Sequence, residues 1–209
     1  MKAVLLLCSG GLDSTTLAYW LRARDVEIVP VFLDYGQHCV EKEWQTLGQA
    51  LPAKGVHPIE RIDVSGIFRG SHSRLIVEPD LWNEPVADHE LYIPYRTLLF
   101  FAIAAARAQI RGLVDVYSGF INSNHAKEID CSVDFLNRLD ALAEDVGPVR
   151  FHMPFRYWSK SDVVAEAIRL GVPIGITYSC QLLSDTPCGA CPNCVDRLQA
   201  IEANRPGNP

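Results

Sequence analysis

The stretch AVLLLCSGGLDSTTLAYWL, residues 3–21, changes character at two adjacent glycines. The apolar run before them, residues 3–8, is short and uninterrupted, which is typical of a strand buried on both faces of a parallel sheet. After them, Leu17, Trp20 and Leu21 fall at helical spacing, and Asp13 or Ser14 can cap the helix. A strand, a glycine turn and a helix in this order direct backbone N–H groups at an anion, most often phosphate.

The rest of the chain alternates short apolar segments with helical patterns. Four more strands are predicted, namely EIVPVFLDYG, PIERIDV, DVYSG and VRFHMP, at residues 27–36, 58–64, 115–119 and 149–154. Pro30 weakens the first of these because it cannot donate to a ladder. Helices are predicted over residues 41–55, 96–110, 132–145 and 159–171, the last with Ser159 as its cap and Gly171 at its end. This alternation predicts an α/β fold with a doubly wound, mostly parallel, Rossmann-like sheet.

Length and charge limit the functional classes. The 209 residues suffice for one domain with a small appendage, and residues 65–94 form an irregular insertion rich in Gly, Pro and charged residues. The formal charge of −6, without a basic block, argues against direct binding of nucleic acid. The N-terminal apolar run is too short for a signal peptide or a membrane span, so we expect a cytoplasmic protein without a membrane partner.

Four of the seven cysteines lie together near the C-terminus. Cys180, Cys188, Cys191 and Cys194 have the spacing C-x7-C-x2-C-x2-C, which fits a closed tetrahedral zinc site with a structural role. An iron–sulfur cluster or a redox dithiol is the alternative. We therefore divide the chain into an α/β domain, residues 1–179, and a zinc knuckle with a C-terminal helix, residues 180–209, packed on the same domain.

The glycine loop itself reads SGGLDS, residues 9–14. It lacks the lysine and the spacing of GxxxxGK[ST], and it is not the dinucleotide fingerprint GxGxxG. It matches SGGxDS, the pyrophosphate-binding loop (PP-loop) of enzymes that cleave ATP between its α and β phosphates. Ser9 and Ser14 supply hydroxyl donors, whereas the Asp13 carboxylate beside phosphates requires an intervening cation, for which Mg²⁺ is suited. The alternatives are a glycine turn selected for packing and a capping role for Asp13.

The glycine loop and the cysteine spacing occur here together with four further stretches, FLDYGQ, YIPYRTLLFFAIAAA, DCSVDFLNRLDAL and LGVPIGITYSC. With this ordered set the sequence resembles the 7-cyano-7-deazaguanine synthase family. The resemblance implies an adenine nucleotide alpha hydrolase-like fold and an AMP-forming ligase that makes a carbon–nitrogen bond. In that family ATP activates the carboxylate of 7-carboxy-7-deazaguanine as an acyl adenylate, and ammonia then gives the amide. A second ATP drives dehydration to the nitrile, which serves queuosine-type tRNA modification.

The resemblance also implies roles for individual residues. Asp13, Lys160 and Arg96 are the predicted catalytic residues. The predicted ATP-binding residues are Ser9, Gly10, Gly11, Leu12, Asp13, Ser14, Thr15, Asp34 and Lys160. Substrate binding is assigned to Tyr35, Gln37, Arg96 and Asp130, where the Asp130 carboxylate can accept from the donor edge of a guanine-like base. The alternatives are a solvated helix N-terminus for Lys160, a surface position for Arg96 and a loop role for Asp34 and Gln37.

Three segments depart from the pattern usual in that family. PGRN reads PYRT at residues 94–97, DYGQRH reads DYGQHC at residues 34–39, and SGYPDCR reads AKEIDCS at residues 126–132. All three are expected around the base and the acyl group, so the acyl acceptor stays open. The alternatives are a paralogue that stops at the amide or joins the acyl group to an amine of a partner protein, and a nucleotide-binding module without catalysis. The family also implies a homodimer.

Overall fold

The computed structural model describes residues 2–80, 88–121 and 132–205. Five strands form one sheet in the order β3-β2-β1-β4-β5, and every pair is parallel. The strands are β1 (Ala3–Cys8), β2 (Glu27–Asp34), β3 (Glu60–Asp63), β4 (Asp115–Ser118) and β5 (Arg150–His152). The helices are α1 (Leu12–Arg22), α2 (Val40–Ala50), α3 (Arg96–Ile110), α4 (Val133–Val146), α5 (Lys160–Leu170) and α6 (Pro192–Ala203). None of these helices, in the described part of the chain, is long and apolar enough to cross a bilayer.

Helices cover both faces of the sheet, which is why its central strands are apolar throughout. Val4, Leu6 and Cys8 of β1 pack with α1, α5 and α6 on one face. Leu5 and Leu7 of the same strand pack with α3 on the other face. The prediction of a doubly wound α/β sheet is confirmed, and the sheet is parallel throughout its described strands.

The helix ends agree with the sequence at some places and differ at others. α3 has the predicted bounds, and α5 has a capping box at Ser159 and a left-handed Gly171 at its end. The prediction that Asp13 or Ser14 caps α1 is wrong, because Gly11 is the N-cap without a side-chain hydrogen bond and both residues lie in the first turn. α2 ends at Ala50 rather than Gly55, since extended Leu51 precedes a proline.

Pro30 is accommodated inside β2 by a gap in the neighbouring ladder. β2 pairs with β1 from Glu27 to Phe32, on both sides of Pro30. On its other side, a single bridge from Ile28 to Val56 is followed by β3 only from Glu60 onward. Successive residues of a parallel strand direct their backbone hydrogen bonds to opposite neighbouring strands. The backbone groups of Ile28 bond to the segment around Val56, and those of Pro30 point to the same side. Pro30 therefore faces the gap, where its missing N–H removes no ladder bond.

The order of the strands determines where a ligand can bind. The chain runs from β1 to β2 and β3 on one side, and then returns to β4 on the other side of β1. Open α/β sheets bind ligands outside the carboxyl ends of the strands at such a reversal. Ser9 follows β1, Tyr35 follows β2 and Gly119 follows β4, so the predicted loop lies at this point.

Candidate active site

The loop from Ser9 to Ser14 is held closed by its own hydroxyl groups. The Ser14 hydroxyl donates to the Gly11 carbonyl and accepts from the Ser9 backbone N–H, both at 3.3 Å. Ser9 Oγ accepts from the Gly11 N–H at 3.3 Å. The Tyr178 N–H donates to the Gly10 carbonyl at 3.0 Å and ties the loop to the C-terminal segment. The loop is therefore preformed at the N-terminus of α1.

The two glycines of the loop face different neighbours. Gly10 has a φ of +74°, and a β-carbon there would lie 2.6 Å from the Glu43 carbonyl oxygen of α2. Gly11 lines a cavity, where its missing side chain leaves the backbone open. Gly10 thus makes room for α2, whereas the sequence predicts a phosphate contact for both glycines. Gly119 makes a third close approach, because a β-carbon there would lie 2.9 Å from the Ser14 nitrogen.

Two adjoining cavities, with volumes of about 230 and 350 Å³, lie at the carboxyl ends of β1 and β2. The first cavity is lined by the glycine loop, Lys160 and residues 178–181. The second cavity is lined by Arg96, Phe100, the ends of β1 and β2, and residues 118–121 after β4. Of the residues that the structure describes, nine line both cavities, and we call them the shared wall: Ser9, Asp13, Ser14, Tyr35, Gln37, Glu43, Leu75, Ile121 and Asn193.

Asp13 and Lys160 form an ion pair at the first cavity. Lys160 Nζ lies 2.8 Å from Asp13 Oδ1 and 2.7 Å from Oδ2, and the two side chains are only 21% and 27% exposed. Asp13 lies in the first turn of α1 and Lys160 is the first residue of α5, so the pair joins the N-termini of two helices. A carboxylate beside phosphates needs a cation, and the Lys160 ammonium group is such a cation here. No sequence spacing signals this pair.

Arg96 is the cation of the second cavity. It begins α3, and its guanidinium carbon lies 5.6 Å from the ring centroid of Tyr35 and 5.9 Å from that of Phe100. Burial raises the pKa of Tyr35 above its ordinary value, although Arg96 acts in the opposite direction. Tyr35 is therefore a neutral phenol at physiological pH, and Arg96 brings a positive charge to the aromatic rings.

Tyr95, directly before Arg96, has a strained backbone. Its φ is +63°, in the left-handed region, and its side chain is 77% exposed. This conformation costs a residue with a side chain about 1–2 kcal/mol. We expect Tyr95→Gly to raise the free energy of unfolding, measured by denaturant titration, by up to about 1 kcal/mol after the entropic cost of glycine.

Tyr157 is the matched control for this substitution. It is 68% exposed and does not have a positive φ, so Tyr157→Gly removes a similar side chain without releasing strain. We expect Tyr157→Gly to lower the free energy of unfolding. Destabilisation of Tyr95→Gly to the same extent would show that the left-handed conformation at Tyr95 stores no strain.

The other predicted site residues fall into three groups. Leu12 and Gln37 line the cavities. Thr15 is fully buried, and Asp34 is not among the residues that line either cavity. The Asp34 carboxylate accepts from the Gly36 N–H at 3.1 Å and pairs with Arg61 at 2.7 Å. Asp130 lies outside the described residues.

Several residues of the cavities could not be predicted from the sequence. Glu43 and Asn193 belong to the shared wall, and each lies on a helix whose pattern signals only packing. Leu75 comes from the irregular insertion, where no periodicity marks it. The Leu75 carbonyl accepts from the His38 N–H at 3.1 Å, which fixes the insertion against the start of α2.

The four C-terminal cysteines converge and can hold a metal ion. Their sulfur atoms all lie within 4.8 Å of one another, and Cys180, Cys191 and Cys194 are buried. Hydrogen bonds from the Cys191 thiol and from the backbone N–H groups of Cys188 and Leu182 hold the pKa of Cys180 well below its usual range. This donor set suits a thiophilic cation. We call residues 180–194 the cysteine knuckle.

Comparison with known proteins identifies the family. A sequence model described as queuosine biosynthesis protein QueC matches residues 2–205. The chain belongs to the QueC family. A relative from Campylobacter hominis, named 7-cyano-7-deazaguanine synthase, is 30% identical over 210 residues, which cover 97% of this chain and 95% of the relative. A relative of the same name from Archaeoglobus fulgidus is 33% identical over 211 residues, which cover 98% and 87%. These matches confirm the resemblance and the enzyme class inferred from the sequence.

Solved structures support the fold of this QueC-family chain. A 4-thiouridine synthetase, solved with RNA and bound ATP, has a TM-score of 0.54 at 21% identity, with 97% of this chain and 51% of that chain covered. NMN synthetase from Francisella tularensis has a TM-score of 0.50 at 11% identity, with 97% and 85% covered. At such low identity these likenesses concern the fold alone.

The departures from the usual QueC-family pattern have local explanations. Ser132, where the family has an arginine, caps α4 and accepts from the Phe135 N–H at 3.1 Å. His38 lines the first cavity, and its Nε2 lies 2.7 Å from the Gln181 carbonyl oxygen. Burial lowers the pKa of His38. His38 therefore links α2 to the cysteine knuckle and brings no permanent positive charge.

Proposed function

We propose that this protein adenylates the carboxylate of 7-carboxy-7-deazaguanine with ATP and converts it with ammonia to 7-cyano-7-deazaguanine. The observation that carries this proposal is the pair of adjoining cavities, each with its own cation, on either side of one shared wall. Adenylation requires a carboxylate and a triphosphate to meet, and two anions meet only where positive charge offsets their repulsion. Lys160 and Arg96 supply that charge from opposite cavities.

The first cavity suits the phosphates of ATP. The hydroxyls of Ser9 and Ser14 lie at its wall, and a phosphate oxygen would replace Ser9 Oγ as the acceptor of the Gly11 N–H. Lys160 would leave Asp13 to neutralise the departing pyrophosphate. Mg²⁺ that arrives with ATP would be held by Asp13 and phosphate oxygens, and it supplies further charge neutralisation. The ion pair of the ligand-free site keeps both groups in place.

The second cavity suits a flat heterocycle that carries a carboxylate. Phe32, Leu33, Phe100 and Phe120 give it apolar and aromatic walls, and Arg96 offers a forked donor for the carboxylate. Tyr35 lines the cavity beside Arg96. A deazaguanine ring would therefore lie among the phenylalanine rings, with its carboxylate turned towards the shared wall.

The chemistry follows from this placement. A carboxylate oxygen attacks the α-phosphorus of ATP. The bond from this phosphorus to the oxygen that bridges the α and β phosphates breaks, and pyrophosphate leaves. Ammonia then attacks the acyl carbon, a carbon–nitrogen bond forms, and AMP leaves with the former carboxylate oxygen. In a second cycle the amide oxygen is adenylated, and loss of AMP and of the nitrogen-bound protons gives the nitrile. The residues of the cavities contribute position and charge.

The cysteine knuckle has a structural part in this proposal. We assign zinc to its four thiolates, which would leave no open coordination position for catalysis. Cys180 and Gln181 of the knuckle line the first cavity, directly after Tyr178 and Ser179, so the metal would support the ATP site. A cytoplasmic location, which suits reduced thiols, and a homodimer, which the family resemblance implies, complete the proposal.

Exchange of labelled pyrophosphate into ATP tests the adenylation step. We expect exchange that depends on 7-carboxy-7-deazaguanine and does not occur with 7-deazaguanine, because the latter has no carboxylate. Mass analysis of the product with ammonium then identifies the end point. Amide without nitrile would favour the paralogue, and absence of carboxylate-dependent exchange would contradict the proposed function.

A further inference from the structure

Glu43 lies at the point where the two cavities meet. It is half-buried in α2 and belongs to the shared wall. Its backbone packs directly on the glycine loop, because Gly10 has no β-carbon to separate them. A carboxylate is held at this junction although the site must receive two anionic substrates, and neither packing nor phosphate binding explains it.

The Glu43 side chain is oriented by a buried amide. Gln37, which is 3% exposed, donates from Nε2 to Glu43 Oε2 at 2.8 Å. Gln37 Oε1 accepts from the Tyr35 N–H at 2.9 Å, so the two ends of the amide cannot exchange. Among the described residues, Glu43 Oε1 has no hydrogen-bond partner. One oxygen is therefore clamped, and the other is available to a ligand.

The surrounding charges give Glu43 a pKa suited to proton transfer. Burial raises the pKa of Glu43 to about 7, the Gln37 hydrogen bond and the Arg96 charge oppose this rise, and Asp34 adds to it. The other titratable groups among the described residues that line the first cavity are Asp13 and Lys160, which are paired with each other, and Tyr35, His38, Cys39, Tyr178 and Cys180. Of the two carboxylates among the described residues that line the cavities, Asp13 is paired with Lys160, whereas Glu43 has no cationic partner in contact.

We propose that Glu43 is the general base that deprotonates the amine nucleophile. This role rests on the proposed function, since the acyl adenylate must form where the phosphates and the substrate carboxylate meet, at the shared wall. An ammonium ion beside Glu43 gives one proton to the carboxylate and becomes ammonia. Its lone pair then forms the carbon–nitrogen bond, while the bond from carbon to the AMP oxygen breaks, and the third proton of the nitrogen passes to the leaving AMP.

A different role for Glu43 would be to accept from the donor edge of the guanine-like base. That edge lies at the opposite end of the ring from the carboxylate, so it would be deep in the second cavity when the acyl group is at the junction. Glu43 lines both cavities, which places it at the acyl end. If Glu43 is the general base, its loss should slow only the reaction with a nucleophile that must be deprotonated. If Glu43 recognises the substrate, its loss should slow the reaction with every nucleophile.

Hydroxylamine separates these roles because it is an uncharged nucleophile at neutral pH and needs no base. We expect Glu43→Gln, which can still accept from Gln37, to lower ammonia-dependent amide formation by about 100-fold or more. Hydroxamate formation from hydroxylamine and carboxylate-dependent pyrophosphate exchange should stay near the wild-type rate. The ammonia-dependent rate of the wild type at saturating ammonium should rise with pH and level off above about 7, whereas the residual rate of the variant should keep rising with the fraction of free ammonia.

Glu41→Gln is the matched control, because Glu41 lies on the same helix, is 63% exposed and pairs with Arg61. It should leave both nucleophiles unaffected. Equal losses with ammonia and hydroxylamine in Glu43→Gln would overturn the base role in favour of recognition or folding, and an unchanged ammonia-dependent rate would overturn any role. Absence of hydroxamate from the wild type would overturn the proposed function itself.

Discussion

Replacement of Lys160 by methionine is expected to reduce carboxylate-dependent pyrophosphate exchange by about 10²–10³-fold, the usual cost of removing one preorganised donor from developing charge. The substitution has two effects on the same site. It removes the ammonium group that is proposed to meet the phosphates, and it leaves the Asp13 carboxylate unpaired at the wall that should receive them. Both effects oppose the binding of ATP, so its affinity should fall as well, which calorimetry can measure.

Lys54→Met is the control for the loss of a lysine, since Lys54 is exposed and does not line either cavity. This variant should exchange pyrophosphate at the wild-type rate. Lys160 is at the first residue of α5 and is capped independently by Ser159, so the helix should persist without it. Wild-type exchange in Lys160→Met would mean that the ion pair only joins two helices.

Replacement of Cys191 by serine is expected to abolish the metal binding proposed for the cysteine knuckle and to lower the free energy of unfolding by about 4 kcal/mol or more, as losses of structural metals do. Cys191 is fully buried, and its sulfur accepts from the Gln181 N–H at 3.5 Å. Gln181 and Tyr178 line the first cavity, so pyrophosphate exchange should fall together with stability. Metal content by mass spectrometry and denaturant titration measure the two effects.

Cys39→Ser makes the same chemical change in the same buried cluster. Cys39 packs with the knuckle but is not one of the four converging thiols. It should keep the metal content of the wild type and lose less stability. Equal metal content in Cys191→Ser and the wild type would contradict the assignment of the knuckle as a metal site, and iron in place of zinc would correct the metal.

The fold could be predicted because each element has a local cause. Residues 96–110 are apolar and free of breakers, and the structure has α3 over the same residues. Ser159 and Gly171 are strong end signals, and α5 lies between them. The errors lie where local signals compete. Asp13 and Ser14 are good caps, but the glycine turn starts α1 one residue earlier than Asp13.

The site could be predicted only where contiguous residues form it. The glycine loop and the cysteine knuckle are short motifs, and their residues come together as the spacing indicates. The ion pair of Asp13 with Lys160 joins positions 147 residues apart, and no local pattern records it. Glu43 could not be predicted from a motif, because its position at the site depends on Gly10, whose missing β-carbon allows α2 to pack against the loop. The residues of the site that no motif indicates are therefore brought together by contacts between secondary-structure elements.

The fate of the carboxylate oxygens tests adenylation most directly. 7-Carboxy-7-deazaguanine labelled with ¹⁸O in its carboxylate is converted with ATP, Mg²⁺ and ammonium, and the nucleotide products are analysed by mass. We predict two molecules of AMP for each nitrile, each AMP carrying one labelled oxygen, because both oxygens leave carbon bound to phosphorus. Label in inorganic phosphate with formation of ADP, or AMP without label, would contradict activation by adenylation.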